Sequence, residues 1–152
     1  MSIQYFEDIA AGEKYGSPSL TVDAPGIIKF AAEFDPQPFH LDEAAARNSL
    51  FGGLAASGWH TAALTMRLCV SSELRPANGI IGGGGELTWV KPVRPGDTLR
   101  VEIEVMETRL SRSRPEQGLV KLRIATLNQH GETVQTFCPT LLVDRRPDAA
   151  QT

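Results

Sequence analysis

The sequence predicts an α+β domain in which a curved antiparallel sheet wraps one long helix. Three observations carry this. Apolar residues recur with helical period in the first half of the chain, the second half switches to strict alternation, and one helix is apolar on nearly every side. A helix with so few polar positions has to be enclosed, and a sheet wide enough to curl round it does that.

At 152 residues and 41% hydrophobic content, the chain is the size of one compact domain and buries a core without metal or disulfide help. Ile27, Phe30, Ala31 and Phe34 recur at i, i+3, i+4 and i+7 behind Asp23 as N-cap, with Pro25 in the first turn. That helix must stop near Phe34, ahead of Pro36. A second short helix is expected over Asp42 to Asn48, whose acidic start suits the positive end of the helix dipole. Phe51 to Ser57 is a small-residue loop, and Gly58 to about Glu73 is the long apolar helix. Leu99, Val101, Ile103 and Val105 then alternate with Arg100, Glu102 and Glu104, and Val120, Leu122 and Ile124 with Lys121 and Arg123. Both read as half-buried strands. Glu86 to Val90 and Thr133 to Val143 are further strands, with Pro139 arguing for an edge or a bulge, and turns fall at 95–97 and 128–131. Residues 1–144 are expected to form one domain, and 145–152 a flexible tail.

Fifteen Lys and Arg stand against 18 Asp and Glu, a net charge of -3 without the basic run that nucleic acid requires. Cys69 and Cys138 are too few for a disulfide framework, which fits a reducing compartment. No stretch approaches the length that spans a bilayer, and the start lacks the pattern of a leader. A cytoplasmic protein is expected, with neither nucleic acid nor membrane as partner.

The chemistry concentrates in Phe34-Asp-Pro-Gln-Pro-Phe-His-Leu-Asp-Glu43, where two prolines stiffen the segment between Asp35 and His40. A carboxylate and an imidazole on one stiff turn can share a water, the imidazole moving its proton while the carboxylate orients it. Alone, the same residues also read as a helix-stop loop with a solvated Asp and a packed His. Ala56-Ser-Gly-Trp-His60 opens the long helix, where Ser57 suits an N-cap and the Gly58 N–H, unshielded by a Cβ, suits an oxyanion. His60 with Asp35 and His40 makes a weak metal set, so no metal is expected. His130 reads as a solvated turn residue. Gly82 to Gly85 lacks the Lys-Ser/Thr of a phosphate loop and suits a sheet bulge or close backbone approach.

Asp35-Pro-Gln-Pro-Phe-His40, followed by Leu-Asp-Glu-Ala-Ala, resembles the hydratase motif of the MaoC-like (R)-specific enoyl-CoA hydratases and acyl dehydratases, commonly written Asp-x-Asn-Pro-aliphatic-His. Phe51 to Thr61 is similar to that family's glycine-bearing entry into its central helix, and Lys91-Pro-Val-Arg-Pro-Gly-Asp-Thr-Leu99 to its strand-turn-strand signature. The resemblance implies a hotdog fold, with Asp35 and His40 as the acid/base dyad and Gly58, with Ser57, at the thioester oxygen. It also implies hydration of trans-2-enoyl-CoA, or the reverse dehydration, by a homodimer or higher oligomer that needs no cofactor beyond the thiol carrying its substrate. Gln37 stands where many members have Asn, Phe39 replaces an aliphatic residue, and Phe34 stands where Gly is often seen. Gln37 and Trp59 are candidate substrate contacts. The alternatives are a thioesterase on the same fold and a non-catalytic acyl-thioester binding subunit.

Overall fold

The computed structural model describes residues 2–150. Six strands form one antiparallel sheet: β1 (Lys14–Gly16), β2 (Leu20–Thr21), β3 (Ile81–Trp89), β4 (Thr98–Leu110), β5 (Gln117–Leu127) and β6 (Thr133–Asp144). Their order is β1-β4-β5-β6-β3, with β2 also on β4. Helices α1 (Ala24–Phe34), α2 (Pro38–Leu41), α3 (Glu43–Arg47) and α4 (Gly58–Val70) precede β3, and a turn of helix, α5 (Pro147–Ala150), follows β6. This is the hotdog arrangement: a curved sheet laid against a central helix, α4.

The long strands follow from alternation. Leu99, Val101, Ile103 and Val105 of β4 and Val120, Leu122 and Ile124 of β5 are all buried, and Lys121 and Arg123 lie outside. At roughly 1.5–3 kcal/mol for each fully buried aliphatic side chain, these seven positions define the inner face. Strands β1 and β2 escape the sequence reading because three and two residues are too short to show a period. Strand β6 lies between β5 and β3, so Pro139 is not on an edge; it pairs opposite Gly85, where the β3 register shifts between Gly82 and Gly85. The bulge expected of the glycine run is there, and it is where a strand can tolerate a residue without an N–H.

Helix α1 begins where Asp23 Oδ1 accepts the Gly26 N–H at 2.7 Å, and buries Ile27 and Ala31. Phe34, expected on its inner stripe, is instead 67% exposed, its ring 5.1 Å from that of Phe30. The Asp42 carboxylate caps α3. Helix α4 ends at Val70, short of Glu73, because the Ser71 and Ser72 hydroxyls bond back to the carbonyls of Arg67 and Cys69.

Helix α4 is enclosed on one face only. Thr61, Thr65, Leu68 and Cys69 are buried, whereas Trp59 and Val70 are more than half exposed and Met66 is also open. The start of the expected tail is also fastened: Arg145 pairs with Glu7 at 3.0 Å and donates to the Pro115 carbonyl, and Arg146 pairs with Asp8. Residues 151–152 of that tail lie outside the described residues. No described helix is long and apolar enough to cross a membrane.

Candidate active site

Asp35 is the first residue past α1, where Pro36 forbids another helical turn. The segment expected as a stiff loop in fact winds into α2: Pro38 occupies its first position, and the Asp42 N–H returns to the Pro38 carbonyl at 3.0 Å. That turn carries His40 inward to 4% exposure, where Phe39 packs on its edge and Phe51 lies 5.9 Å away.

The imidazole is held at both ends. Nδ1 lies 2.6 Å from the Ala55 carbonyl, which can only accept, so Nδ1 carries a proton. Nε2 then faces Asp35 Oδ2 at 3.4 Å. Asp35 is fixed in turn: Ser57 Oγ donates to Oδ2 at 2.7 Å and Gln37 Nε2 donates to Oδ1 at 2.5 Å. Burial pulls the Asp35 carboxyl upward, but the Ser57 and Gln37 hydrogen bonds and the adjacent His40 outweigh it and hold the group below its ordinary value. Asp35 is therefore ionised at neutral pH.

Ser57 does more than cap. Fully buried, its hydroxyl accepts the Trp59 N–H at 3.2 Å while donating to Asp35, tying the start of α4 to the end of α1. Next to it, the Gly58 N–H makes no hydrogen bond among the described residues. The glycine is needed for a reason the sequence did not show. The Trp89 indole lies across it, so that a Cβ would stand 2.8 Å from Cδ2 and closer to Cε2, and Nε1 donates to the Gly58 carbonyl at 2.9 Å.

His40 and Gly58 line one cleft of about 210 Å³, together with Phe51, Ala56, Trp89 and Val93. Asp35 stands beside that cleft, with Oδ2 3.4 Å from Nε2 of its lining residue His40 and 16% of its side chain exposed. Gln37 faces Asp35 and not the cleft. Trp59 stands edge-on to Trp89 at 5.1 Å and lines a separate apolar cavity of about 530 Å³ between α4 and the sheet. Cys69 also lines that cavity, but burial pushes its thiol up to about 12, leaving no thiolate for chemistry.

His60 stacks on Phe30 at 4.6 Å, with Nδ1 buried and unpartnered, and burial lowers its pKa. No metal-binding group of His, Cys, Asp and Glu occurs among the described residues. His130 is exposed in its turn. The sequence reading missed Trp89 and the Ala55 carbonyl. Trp89 looked like one more strand residue, and a backbone carbonyl has no sequence signature.

A hotdog domain with an Asp–His pair beside the N-terminus of its central helix defines a class, and comparison with known proteins narrows it. Residues 7–126 match the family described as "MaoC like domain", and the chain belongs to that family. It is 34% identical over 125 residues to the uncharacterized protein YdeM of Bacillus subtilis (strain 168), covering 81% of this chain and 86% of that one. It is 31% identical over 109 residues to an (R)-specific enoyl-CoA hydratase of Rhodospirillum rubrum, covering 68% and 70%. The crystal structure of a MaoC-like dehydratase from Rhodospirillum rubrum superposes with a TM-score of 0.92 at 56% identity, over 95% of this chain and 99% of that one. Two longer curated relatives are matched over only 30% and 20% of their length.

Proposed function

We propose that this chain adds water across the double bond of a trans-2-enoyl-CoA thioester to give the (R)-3-hydroxyacyl-CoA, or catalyses the reverse. The observation that carries this is the approach of His40 Nε2 to Asp35 Oδ2 at 3.4 Å, with the other atoms of both groups already bonded. A carboxylate oxygen and an imidazole lone pair converging on one point can accept both hydrogens of a single water. The water oxygen attacks C3, its proton passes to the pair, and a proton returns to C2, so that one water is added and nothing leaves. Meanwhile the thioester oxygen becomes enolate-like, and the unbonded Gly58 N–H is the donor suited to it. Ser57 serves by holding Asp35. The reaction asks for no cofactor beyond the CoA that carries the acyl group.

The working unit in this reading is a homodimer or higher homo-oligomer. Strand β3 pairs only with β6 among the described residues and leaves a nine-residue edge open, and exposed Trp59 and Met66 of α4 line one cavity with its Gly82, Gly85 and Leu87. An open edge beside an apolar face is what a second copy covers.

Purified protein mixed with crotonyl-CoA and longer enoyl-CoA esters should lose the conjugated thioester absorbance without releasing stoichiometric free thiol. Asp35→Asn and His40→Ala should each lower that rate by at least about 10²-fold with circular dichroism unchanged. Free thiol appearing as fast as the absorbance falls would convert the reading to a thioesterase. Near-normal turnover in either variant would remove the dyad.

A further inference from the structure

Arg94 lies in the turn between β3 and β4, far along the chain from Asp35 and His40. Its backbone is fixed first: the Arg94 N–H donates to Asp97 Oδ2 at 2.9 Å, the Asp97 N–H returns to the Arg94 carbonyl at 3.1 Å, and Gln129 holds the other oxygen of the buried Asp97. The side chain then crosses to the loop before α4. Nη1 donates to the Gly53 carbonyl at 2.8 Å and leans on that of Leu54 at 3.4 Å, while Nη2 donates to the Phe51 carbonyl. A planar guanidinium is the side chain that can serve several carbonyls at fixed mutual angles.

These carbonyls belong to the segment that ends in Ala55, whose own carbonyl receives His40 Nδ1. The rest of that segment is pinned by weaker or neutral bonds: Leu54 N–H to Glu43 at 3.2 Å, Ala55 N–H to the Phe39 carbonyl at 3.3 Å, and Ala56 N–H to the Val93 carbonyl at 2.9 Å. Gly52, with φ of +65°, gives the loop no stiffness of its own. Its cationic clamp is Arg94, which reaches three of its carbonyls and also anchors the backbone of Phe51, the ring beside His40.

We propose that Arg94 is a positioning residue for the dyad: by clamping the carbonyls of Phe51, Gly53 and Leu54 it aims the Ala55 carbonyl, and so sets the His40 tautomer and ring angle that present Nε2 to Asp35. The catalytic consequence rests on the hydratase reading above; the structural consequence does not. Without the clamp the Ala55 carbonyl swings, the proton is no longer confined to Nδ1, and the pair loses its shared target. A misplacement of about 1 Å can cost about 10²-fold in rate, and loss of an orienting partner about 10- to 10²-fold.

The test uses Arg94→Ala and Arg94→Lys in the full chain. Lysine keeps charge and stem but offers one ammonium in place of the fork, and keeps the experiment readable should the alanine variant not fold. The imidazole ¹⁵N shifts of His40 are read by NMR, assigned among the three histidines by single substitutions. Wild type should show Nδ1 protonated, and both folded variants a mixture of tautomers. With enoyl-CoA, kcat should fall about 10- to 10²-fold while KM moves less than about 3-fold, and millimolar methylguanidinium should restore part of kcat to the alanine variant where methylammonium does not. An unchanged His40 tautomer in the folded variants would overturn the proposal, whatever happens to stability. If wild type hydrates nothing but the tautomer still responds, the hydratase reading fails and the role of Arg94 stands.

Discussion

Replacing Ser57 by Ala isolates the contact that joins the two halves of the site. The hydroxyl makes two bonds: a charge-assisted one to Asp35 Oδ2 at 2.7 Å and a cap to the Trp59 N–H at 3.2 Å. The first is worth about 1.5–3 kcal/mol and the second about 1 kcal/mol. Ser57 is fully buried but the Asp35 side chain retains 16% exposure, so the lower half of the first range applies. The variant should lose about 2.5 kcal/mol by denaturant unfolding at pH 7. A cycle with Asp35→Ala should show coupling of about 1.5 kcal/mol. The sign of the pH dependence follows from linkage. Asp35 titrates below its ordinary value, so its contribution is present above the unfolded carboxylate range, about pH 4, and is lost as pH falls through the depressed folded value. The difference between wild type and Ser57→Ala should therefore shrink toward the capping share in acid. Coupling below about 0.5 kcal/mol at pH 7, or a difference that does not vary with pH, would refute the claim that Ser57 holds the carboxylate.

Gly58→Ala should destabilise the chain by about 1–3 kcal/mol through its clash with the Trp89 indole, and Gly58→Ala with Trp89→Leu should recover part of that loss in thermal melts. Full stability in Gly58→Ala alone would show that the indole does not rest there. His60 is held neutral by burial, so folding is weakened as pH falls from the ordinary histidine value, about 6.5, toward its depressed folded value. His60→Phe keeps the stack on Phe30, removes the unpartnered Nδ1, and should raise stability by about 1 kcal/mol, more at pH 5 than at pH 8. A gain equal at both values would place the effect in packing alone.

Much of this architecture was legible because it is local. Asp23 before an i, i+3, i+4 stripe specifies where α1 starts, Pro36 where it must stop, and the alternation through β4 and β5 which side chains face inward. The motif residues Asp35 and His40 and the Ser57-Gly58 start of α4 could be named for the same reason. Each is a short pattern whose meaning depends on a few neighbours, and the family resemblance adds their order along the chain.

What the sequence could not specify lies in contacts between segments far apart. A residue's neighbours along the chain do not disclose which indole lies across Gly58, since Trp89 arrives there only when β3 pairs with β6. They do not disclose that Gln37 turns toward Asp35, that an Arg beyond β3 clamps the loop carrying the Ala55 carbonyl, or that α4 keeps one face open. Hydrophobic period says that a face will be buried; it does not say against what. Local pattern thus specified the long elements and singled out Asp35 and His40, and tertiary packing decided the His40 tautomer, the Asp35 charge and the aim of their atoms. A hydrogen bond is set by ångströms between two groups, and only the closed fold brings those groups together.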